Sequence, residues 1–234
     1  MSTGTPKKSK ATTPKKAQAA QRSRGLRLGL IIAAVLLPAV AVLGAIFVLS
    51  SPEQSAAGGG QAGKFPMQVG DPGPSEEAPP MELEDTEGQT FDLSEKRGET
   101  VLLYFQEGLG CQPCWDQIKD MEAQSGAFEE LGIDETVSIA NNPPDALKQK
   151  VEDEGISATP VLADPYLGVS KTYDANKYGM MGESTNGHTF VVVGPDGKIQ
   201  WRADYGGAPE YTMYVPVPDL LADMRAGLEG KDLT

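Results

Sequence analysis

The chain has 234 residues with a formal net charge of −13, 39% hydrophobic residues, two cysteines and one histidine. Two cysteines are too few for a disulfide-rich secreted scaffold, and together with one histidine they do not complete a four-ligand zinc site without carboxylates. An acidic chain also lacks the clustered Lys and Arg that contact phosphates, so we expect no nucleic-acid partner.

The charge is distributed unevenly along the chain. Residues 1–27 contain eight basic and no acidic residues, so they carry +8 and the remaining residues carry −21. Leu28 to Leu49 is a run of 22 uncharged, largely apolar residues. As a helix this run is about 33 Å long, and the hydrocarbon core of a membrane is about 30 Å thick.

This arrangement predicts a single-pass protein of the cell membrane. The positive-inside rule places a basic tail (1–27) in the cytoplasm and everything after the transmembrane helix (28–49) outside. Two alternatives are a cleaved signal peptide, with a small-residue site near Ser55-Ala56-Ala57, and a buried core helix.

Residues 50–80 are predicted to form a flexible tether because they are rich in Gly and Pro and nearly free of aliphatic periodicity. The remaining globular part, residues 81–230, has the size of one domain.

Strands and helices alternate in this domain. A hairpin is predicted over residues 81–91, and the continuous apolar run 100–106 (TVLLYFQ) is typical of a central strand buried on both faces. The later predicted elements are a helix over 111–127, a strand over 136–140, a helix over 143–154, a hairpin over 188–203 and an amphipathic helix from about 218. This order predicts an α/β fold in which helices flank a mixed central sheet.

Both cysteines lie in the sequence Cys111-Gln112-Pro113-Cys114, directly after the predicted central strand and at the first turn of a helix. The free amides and positive end of a helix stabilise a thiolate, so we expect a lowered pKa for Cys111 and assign it as the nucleophile. Cys114 then attacks a mixed disulfide formed at Cys111 and releases the partner. Pro113 stiffens the loop between the sulfurs. A purely structural disulfide is the simpler alternative, although so short a loop adds little stability.

Three neighbouring side chains have two interpretations each. Glu107 and Asp116 flank the cysteines and are candidates for proton relay, but Asp in a first helical turn is also common for electrostatic reasons. Trp115 is either a partner-docking surface or part of the core.

Three segments resemble a known family. TEGQTFDLSEKRGETVLLYF (86–105), PVLADP (160–165) and TFVVVGPDGKI (189–199) are similar to redoxin domains of the alkyl hydroperoxide reductase and thiol-specific antioxidant superfamily. These peroxiredoxin-like domains are a branch of the thioredoxin fold. The resemblance implies a thioredoxin-like domain with antioxidant, redoxin-type activity, a redox-active disulfide and no cofactor.

The chain departs from peroxiredoxins at two places. They present Thr or Ser three residues before the reactive cysteine and an Arg just before the later TF pair, where this chain has Gly108 and Asn186-Gly187-His188. The C-x-x-C pair instead resembles thioredoxin and the membrane-tethered thiol-disulfide reductases of bacteria. Those proteins place a cis-proline opposite the cysteines, and here either Pro160 or the position of Gly187 corresponds to it.

His188 suggests a third possibility. Sco-type copper chaperones share the anchor and the external thioredoxin-like domain, and they join a distant His to two cysteines around copper. Cys111, Cys114 and His188 would be the ligands here, with help from Met180 and Met181. A structural His at the start of a strand is the alternative.

We therefore predict a membrane-anchored, extracytoplasmic thiol-disulfide oxidoreductase that uses Cys111 and Cys114. Its expected partners are proteins that carry disulfides or dithiols, or peroxide if the protein is a thiol peroxidase, and Leu28–Leu49 is its expected contact with the membrane. A copper-binding chaperone is the other alternative.

Overall fold

The computed structural model describes residues 60–233. The predicted cytoplasmic tail, the predicted transmembrane helix and the first part of the predicted tether lie outside these residues. Within residues 60–233, no helix combines the length and the apolar character needed to cross a membrane.

A seven-stranded mixed sheet forms the centre of the molecule. Its strands are β1 (Glu82–Asp85), β2 (Thr90–Asp92), β3 (Val101–Gln106), β4 (Glu135–Ala140), β5 (Val161–Ala163), β6 (Thr189–Val193) and β7 (Ile199–Asp204). They are ordered β2-β1-β5-β4-β3-β6-β7. β3, β4 and β5 are parallel, whereas β6 is antiparallel to both β3 and β7. The carboxyl ends of β3, β4, β5 and β7 therefore meet at one end of the sheet.

Five helices accompany the sheet in the described part of the chain. They are α1 (Gln112–Ala123), α2 (Ser125–Glu129), α3 (Pro144–Glu154), α4 (Gly168–Thr172) and α5 (Val217–Leu228). The single helix predicted over 111–127 is interrupted at Gln124, whose backbone leaves the helical region. α3 ends at Gly155, which adopts the left-handed conformation that glycine favours at this position.

β3 is buried along its whole length, as its apolar run predicted. Side chains alternate between the two faces of a strand. Leu102 and Tyr104 pack with α1 and α5 on one face, while Leu103 and Phe105 pack on the other face with Tyr173 and the β1–β2 hairpin. The predicted α/β architecture with a mixed central sheet is confirmed.

The described part of the predicted tether, residues 60–80, does not behave as a tether. This segment, which we call the N-terminal strap, forms isolated β-bridges between Gln68 and Asp204 and between Glu77 and Lys198. β7 is the edge strand of the sheet, so no further strand of the described residues bonds its outer backbone groups, and the strap bonds some of them instead. For these residues the prediction of a flexible tether is wrong.

Candidate functional site

The two cysteines lie at the carboxyl end of β3 and are joined by a disulfide, with their Cα atoms 5.3 Å apart. A short 3-10 turn, Gly108–Gly110, leads from β3 to Cys111, which caps the amino terminus of α1. The backbone N–H of Cys114 donates to the Cys111 Sγ at 3.3 Å. Cys111 is 6% exposed and Cys114 is fully buried, so an incoming group meets Cys111 first.

Gly108 determines the shape of the turn before Cys111. Its φ of +80° favours glycine, and an added Cβ would overlap the side chain of Asn142. Asn142 Oδ1 accepts the backbone N–H of Leu109, and the Gly108 carbonyl accepts the indole N–H of Trp115. A Thr or Ser of the peroxiredoxin type therefore does not fit at this position without rebuilding the turn.

Glu107 is the buried carboxyl of the site. Its Oε1 accepts the backbone N–H groups of Met180 at 2.7 Å and Met181 at 3.3 Å. Burial raises the pKa of Glu107, and these two N–H groups partly oppose the rise. Glu107 thus ties the loop before β6 to the cysteine turn.

Asp116 and Trp115 have other partners. Asp116 bonds Lys119 and Gln112, and these contacts lower its pKa, which makes it a weak proton acceptor near neutral pH. Trp115 is fully buried, so it belongs to the core and not to an exposed docking surface. Pro113 occupies the first turn of α1 and is exposed.

Pro160 does not face the cysteines. It precedes Val161 at the amino end of β5, whereas Cys111 follows the carboxyl end of β3. Because β3 and β5 are both parallel to β4, these two positions lie at opposite ends of the sheet. The neighbouring Thr159 N–H bonds Glu122, at the far end of α1. Among the described residues, the cis bonds precede Pro72 and Pro209, so the suggested cis-proline at Pro160 is wrong.

Gly187 occupies the position that remains for this proline. Its backbone N–H donates to the carbonyl of Ala175 at 2.8 Å, and an added Cβ would overlap the carbonyl of Tyr178. A proline here would lose that hydrogen bond and collide with the Tyr178 backbone. At this position the chain therefore has a close approach of the Gly187 and Tyr178 backbones and not a proline.

His188 is fully buried beside Tyr104, Phe190 and Tyr205, with ring centroids 5.1 to 6.2 Å away. Burial lowers its pKa to about 3, although the backbone of Met213 opposes this shift. Neither ring nitrogen makes a hydrogen bond of ordinary geometry within the described residues. His188 is therefore a neutral core side chain near physiological pH.

The copper-binding hypothesis is not supported. No group of three or more His, Cys, Asp or Glu residues in the described part of the chain is arranged to hold a metal ion. His188 is enclosed by aromatic rings, and Met180 and Met181 are exposed while their amides bond Glu107.

Several contributors to the site were not predicted. Asn142 orders the cysteine turn, and Tyr104 forms the wall behind Cys114, whose carbonyl is 3.5 Å from the Tyr104 hydroxyl. Buried polar atoms without partners lie on Gln106, Asn186 and His188, all near the carboxyl end of β3. The Asn pair after β4 was the available signal, because the carboxyl ends of parallel strands gather at one edge.

A thioredoxin-like sheet with a C-x-x-C disulfide at the start of the helix after its central strand defines a redox-active thiol protein. The chain belongs to the AhpC/TSA family, whose model matches residues 74–202. The predicted redoxin resemblance is thereby confirmed.

Relatives fall into two groups. A Mycobacterium tuberculosis protein assigned as a peroxiredoxin is 30% identical over 131 residues, which cover 54% of this chain and 81% of that one. The thiol-disulfide oxidoreductase ResA of Halalkalibacterium halodurans is 34% identical over 98 residues, which cover 42% of this chain and 54% of that one. Both groups are oxidoreductases, as we predicted for this chain.

Solved structures support the fold. The crystal structure of peroxidoxin BcpB from Mycobacterium tuberculosis superposes with a TM-score of 0.54 at 21% identity and covers 66% of this chain and 97% of that one. Reduced 2-Cys peroxiredoxin from Plasmodium vivax gives a TM-score of 0.53 at 21% identity and covers 65% and 80%.

Proposed function

We propose that this protein is a membrane-anchored, extracytoplasmic thiol-disulfide oxidoreductase that cycles Cys111 and Cys114 between dithiol and disulfide. The observation that carries the proposal is the asymmetry of the pair. Cys111 caps α1 and reaches solvent, whereas Cys114 is sealed beneath it, 5.3 Å away between Cα atoms.

The reaction follows from this geometry. In the dithiol form, the Cys111 thiolate attacks a partner disulfide, so that a Cys111–partner S–S bond forms and one partner sulfur leaves as a thiolate. Cys114 loses its proton and attacks the Cys111 sulfur. This step closes the Cys111–Cys114 disulfide and releases the second partner thiol. Two electrons pass from the dithiol to the partner, and the reverse steps carry them back.

The helix terminus contributes electrostatic stabilisation. The Cys114 N–H points at the Cys111 sulfur, and the positive end of α1 favours negative charge there. Glu107 is a buried carboxyl with a raised pKa only four residues from Cys111, so it suits the role of exchanging protons as the thiols charge and discharge.

The test uses two variants of the full chain in detergent. Cys114→Ser should trap a mixed disulfide with a disulfide-bearing protein, because nothing resolves the bond at Cys111. Cys111→Ser should form none and should lose exchange activity by at least about 10³-fold, since the attacking sulfur is gone. Mass spectrometry reports the trapped species, and thermal melts check the fold. Equal exchange by wild type and Cys111→Ser would disprove the proposal.

A thiol peroxidase is the second candidate, and the peroxiredoxin relatives favour it. Here the Cys111 thiolate would attack a peroxide oxygen, form a sulfenic acid and release an alcohol or water. The Cys114 thiol would then attack the Cys111 sulfur, which closes the disulfide and releases the sulfenic oxygen as water. The glycine at position 108 weighs against it, because the turn leaves no room for a hydroxyl-bearing side chain. Stopped-flow mixing with peroxide decides the matter: oxidation of Cys111 no faster than that of a free thiol removes this candidate.

The anchor is supported by the sequence. The run from Leu28 to Leu49 follows a segment of +8, which favours a retained signal anchor with its amino terminus in the cytoplasm. In intact cells, a membrane-impermeant thiol reagent should label the reduced Cys114→Ser variant. The intact mass of the membrane-extracted protein should include residues 1–49, and a mass lacking them would indicate a cleaved signal peptide.

A further inference from the structure

The exposed apolar side chains of the described residues are concentrated at one end of the sheet. The large ones are Val69, Leu109, Tyr166, Met180, Met181 and Tyr211. They lie in the loops that follow β3, β5 and β7, in the loop that precedes β6, and in the strap beside the end of β7. All these segments meet at the carboxyl end of β3, which is the end that carries Cys111.

Contacts connect these loops into one surface. The Glu107 side chain joins the cysteine turn to the Met180 backbone, and Asn141 donates to the carbonyl of Ser184 at 3.1 Å. We call the loop of residues 178–187 the methionine loop. An added Cβ on Gly207 would lie 3.2 Å from the Tyr178 ring, so the loop after β7 contacts the start of the methionine loop. The backbone N–H of Asp164 donates to the carbonyl of Ala140 at 2.9 Å, which joins the loop that carries Tyr166 to the end of β4. We call the surface formed by Leu109, Tyr166, Met180, Met181 and Tyr211 the apolar edge.

The size of the apolar edge indicates the size of its partner. It extends from β5 to β7, which is four strand spacings or about 19 Å, and an extended polypeptide of about six residues has the same length. A hydroperoxide needs access to one sulfur only and gains nothing from so wide an apolar surface. Unbranched methionines at 56% and 63% exposure adapt to partners of different shape.

The charged side chains around the apolar edge narrow the class of partner further. The five loops at this end, residues 107–111, 141–143, 164–167, 178–187 and 205–216, contain no Lys or Arg. Their exposed charged side chains are Glu183 and Glu210. The adjoining Lys150 and Lys177 are paired with Glu154 and Asp174, so Glu183 and Glu210 leave this surface with a negative charge. Such a surface favours a partner with apolar and basic side chains.

We propose that the apolar edge docks an extended, cysteine-bearing polypeptide segment with apolar and basic residues near its cysteine, so that the substrates are protein disulfides in unfolded or flexible chains. This inference rests on the proposed exchange function. A second copy of this chain is a poorer occupant, because Cys111 lies within the edge and a permanent partner would cover it.

The test compares two substrates of the full chain in detergent. One is a peptide disulfide with Leu and Lys beside its cysteine, and the other is a small disulfide, oxidised 2-mercaptoethanol. Replacing both methionines by serine (Met180→Ser with Met181→Ser) should raise KM for the peptide about tenfold, the equivalent of about 1.4 kcal/mol, and leave the rate with the small disulfide within about twofold. The Met180→Leu, Met181→Leu control should retain wild-type kinetics.

Charge reversal gives an independent readout. Glu183→Lys with Glu210→Lys should raise KM for the Lys-containing peptide, and by more at low salt than at high salt. The same variant should lower KM for a peptide that has Glu in place of Lys.

The outcomes separate the inference from the function it rests on. If wild type exchanges neither substrate, the proposed function fails. If wild type exchanges both but the serine variant loses both equally, or loses neither, docking at the apolar edge is overturned. A dimer of the wild type that becomes a monomer in the serine variant would also overturn it, because a second copy would then be the occupant.

Discussion

The two ends of the sheet are built on different principles. At the end that carries Cys111, large apolar side chains are exposed. At the opposite end, Lys96 pairs with Glu135 at 2.7 Å, and Asp134 accepts the backbone N–H of Thr100. None of the exposed large apolar side chains of the described residues lies at this opposite end.

The exposed apolar surface therefore lies at the end of the sheet that carries the cysteines, and the partly exposed ion pair lies at the other end. At the second end, Lys96 and Glu135 form an ion pair, and Asp134 bonds the backbone. At the first end the molecule exposes apolar surface to water, which is unfavourable for a fold and useful for binding. Ion pairs, backbone contacts and titrating groups at the two ends should therefore respond differently to substitution.

The largest effect is expected from Asp204→Asn at the carboxyl end of β7. Asp204 bonds the buried Arg202 through both carboxylate oxygens and also accepts from Thr189 and from the strap residue Gly70. The substitution leaves a buried guanidinium without its counter-charge, which should lower the free energy of unfolding by about 3–5 kcal/mol. Urea denaturation measures it. Glu210→Gln, an exposed acid nearby, is the control, and a loss below 1 kcal/mol for Asp204→Asn would contradict this view.

Gly187→Ala should have the next effect, because the added methyl overlaps the Tyr178 carbonyl. Moving the two backbones apart should lower the free energy of unfolding by up to about 3 kcal/mol. Exchange activity should fall as well, since this contact positions the loop beside the cysteines. Gly126→Ala places a methyl where no atom lies within 4 Å and serves as the control. Equal stability of the two variants would rule out the close approach.

His188 should make the stability of the protein depend on pH in a characteristic way. Its pKa is about 3 in the folded protein and about 6.5 when unfolded, so the unfolded chain binds the proton first as the pH falls. Stability should therefore decrease below pH 6.5, and this single group should contribute about 2 kcal/mol of loss between pH 7 and pH 5.

His188→Leu should remove that slope. Glu107 and Asp223, whose pKa values are raised by burial, contribute with the opposite sign and are common to both proteins. Denaturation curves at several pH values measure the difference, and parallel slopes for the two proteins would contradict the burial of a neutral imidazole.

The smallest effect is expected at the opposite end. Lys96→Met breaks the pair with Glu135, but both side chains are partly exposed, at 29% and 25%. Such a pair should contribute less than about 1 kcal/mol, with no change in exchange kinetics. A double-mutant cycle with Glu135→Gln measures the coupling, and a value above 2 kcal/mol would show that this end is not merely a solvated surface.

Local patterns in the sequence were sufficient for much of the fold. The apolar run of β3, the two hairpins and the amphipathic periodicity of α5 were readable because they depend on neighbours close in sequence. The position of the cysteine pair at the β3–α1 junction was predicted for the same reason, and the family match agrees with it.

Predictions failed where distant segments meet. The strap resembled a flexible linker because its partners, Asp204 and Arg202, are 134 and 130 residues away along the chain. Pro160 resembled a cis-proline when only its neighbours in sequence were considered, but it lies at the amino end of β5, away from the cysteines at the carboxyl end of β3. For His188 the sequence left a copper ligand and a structural side chain open, and the rings of Tyr104, Phe190 and Tyr205 enclose it in the core.

The sequence by itself determined the chemistry: one C-x-x-C pair, delivered by a central strand to a helix terminus, in a chain with no other cysteine. Tertiary structure decided which groups lie beside that pair. Glu107, Asn142, Gly187 and the methionine loop come together only because parallel strands bring their carboxyl ends to one edge. Burial and crossing contacts depend on that geometry and not on spacing along the chain.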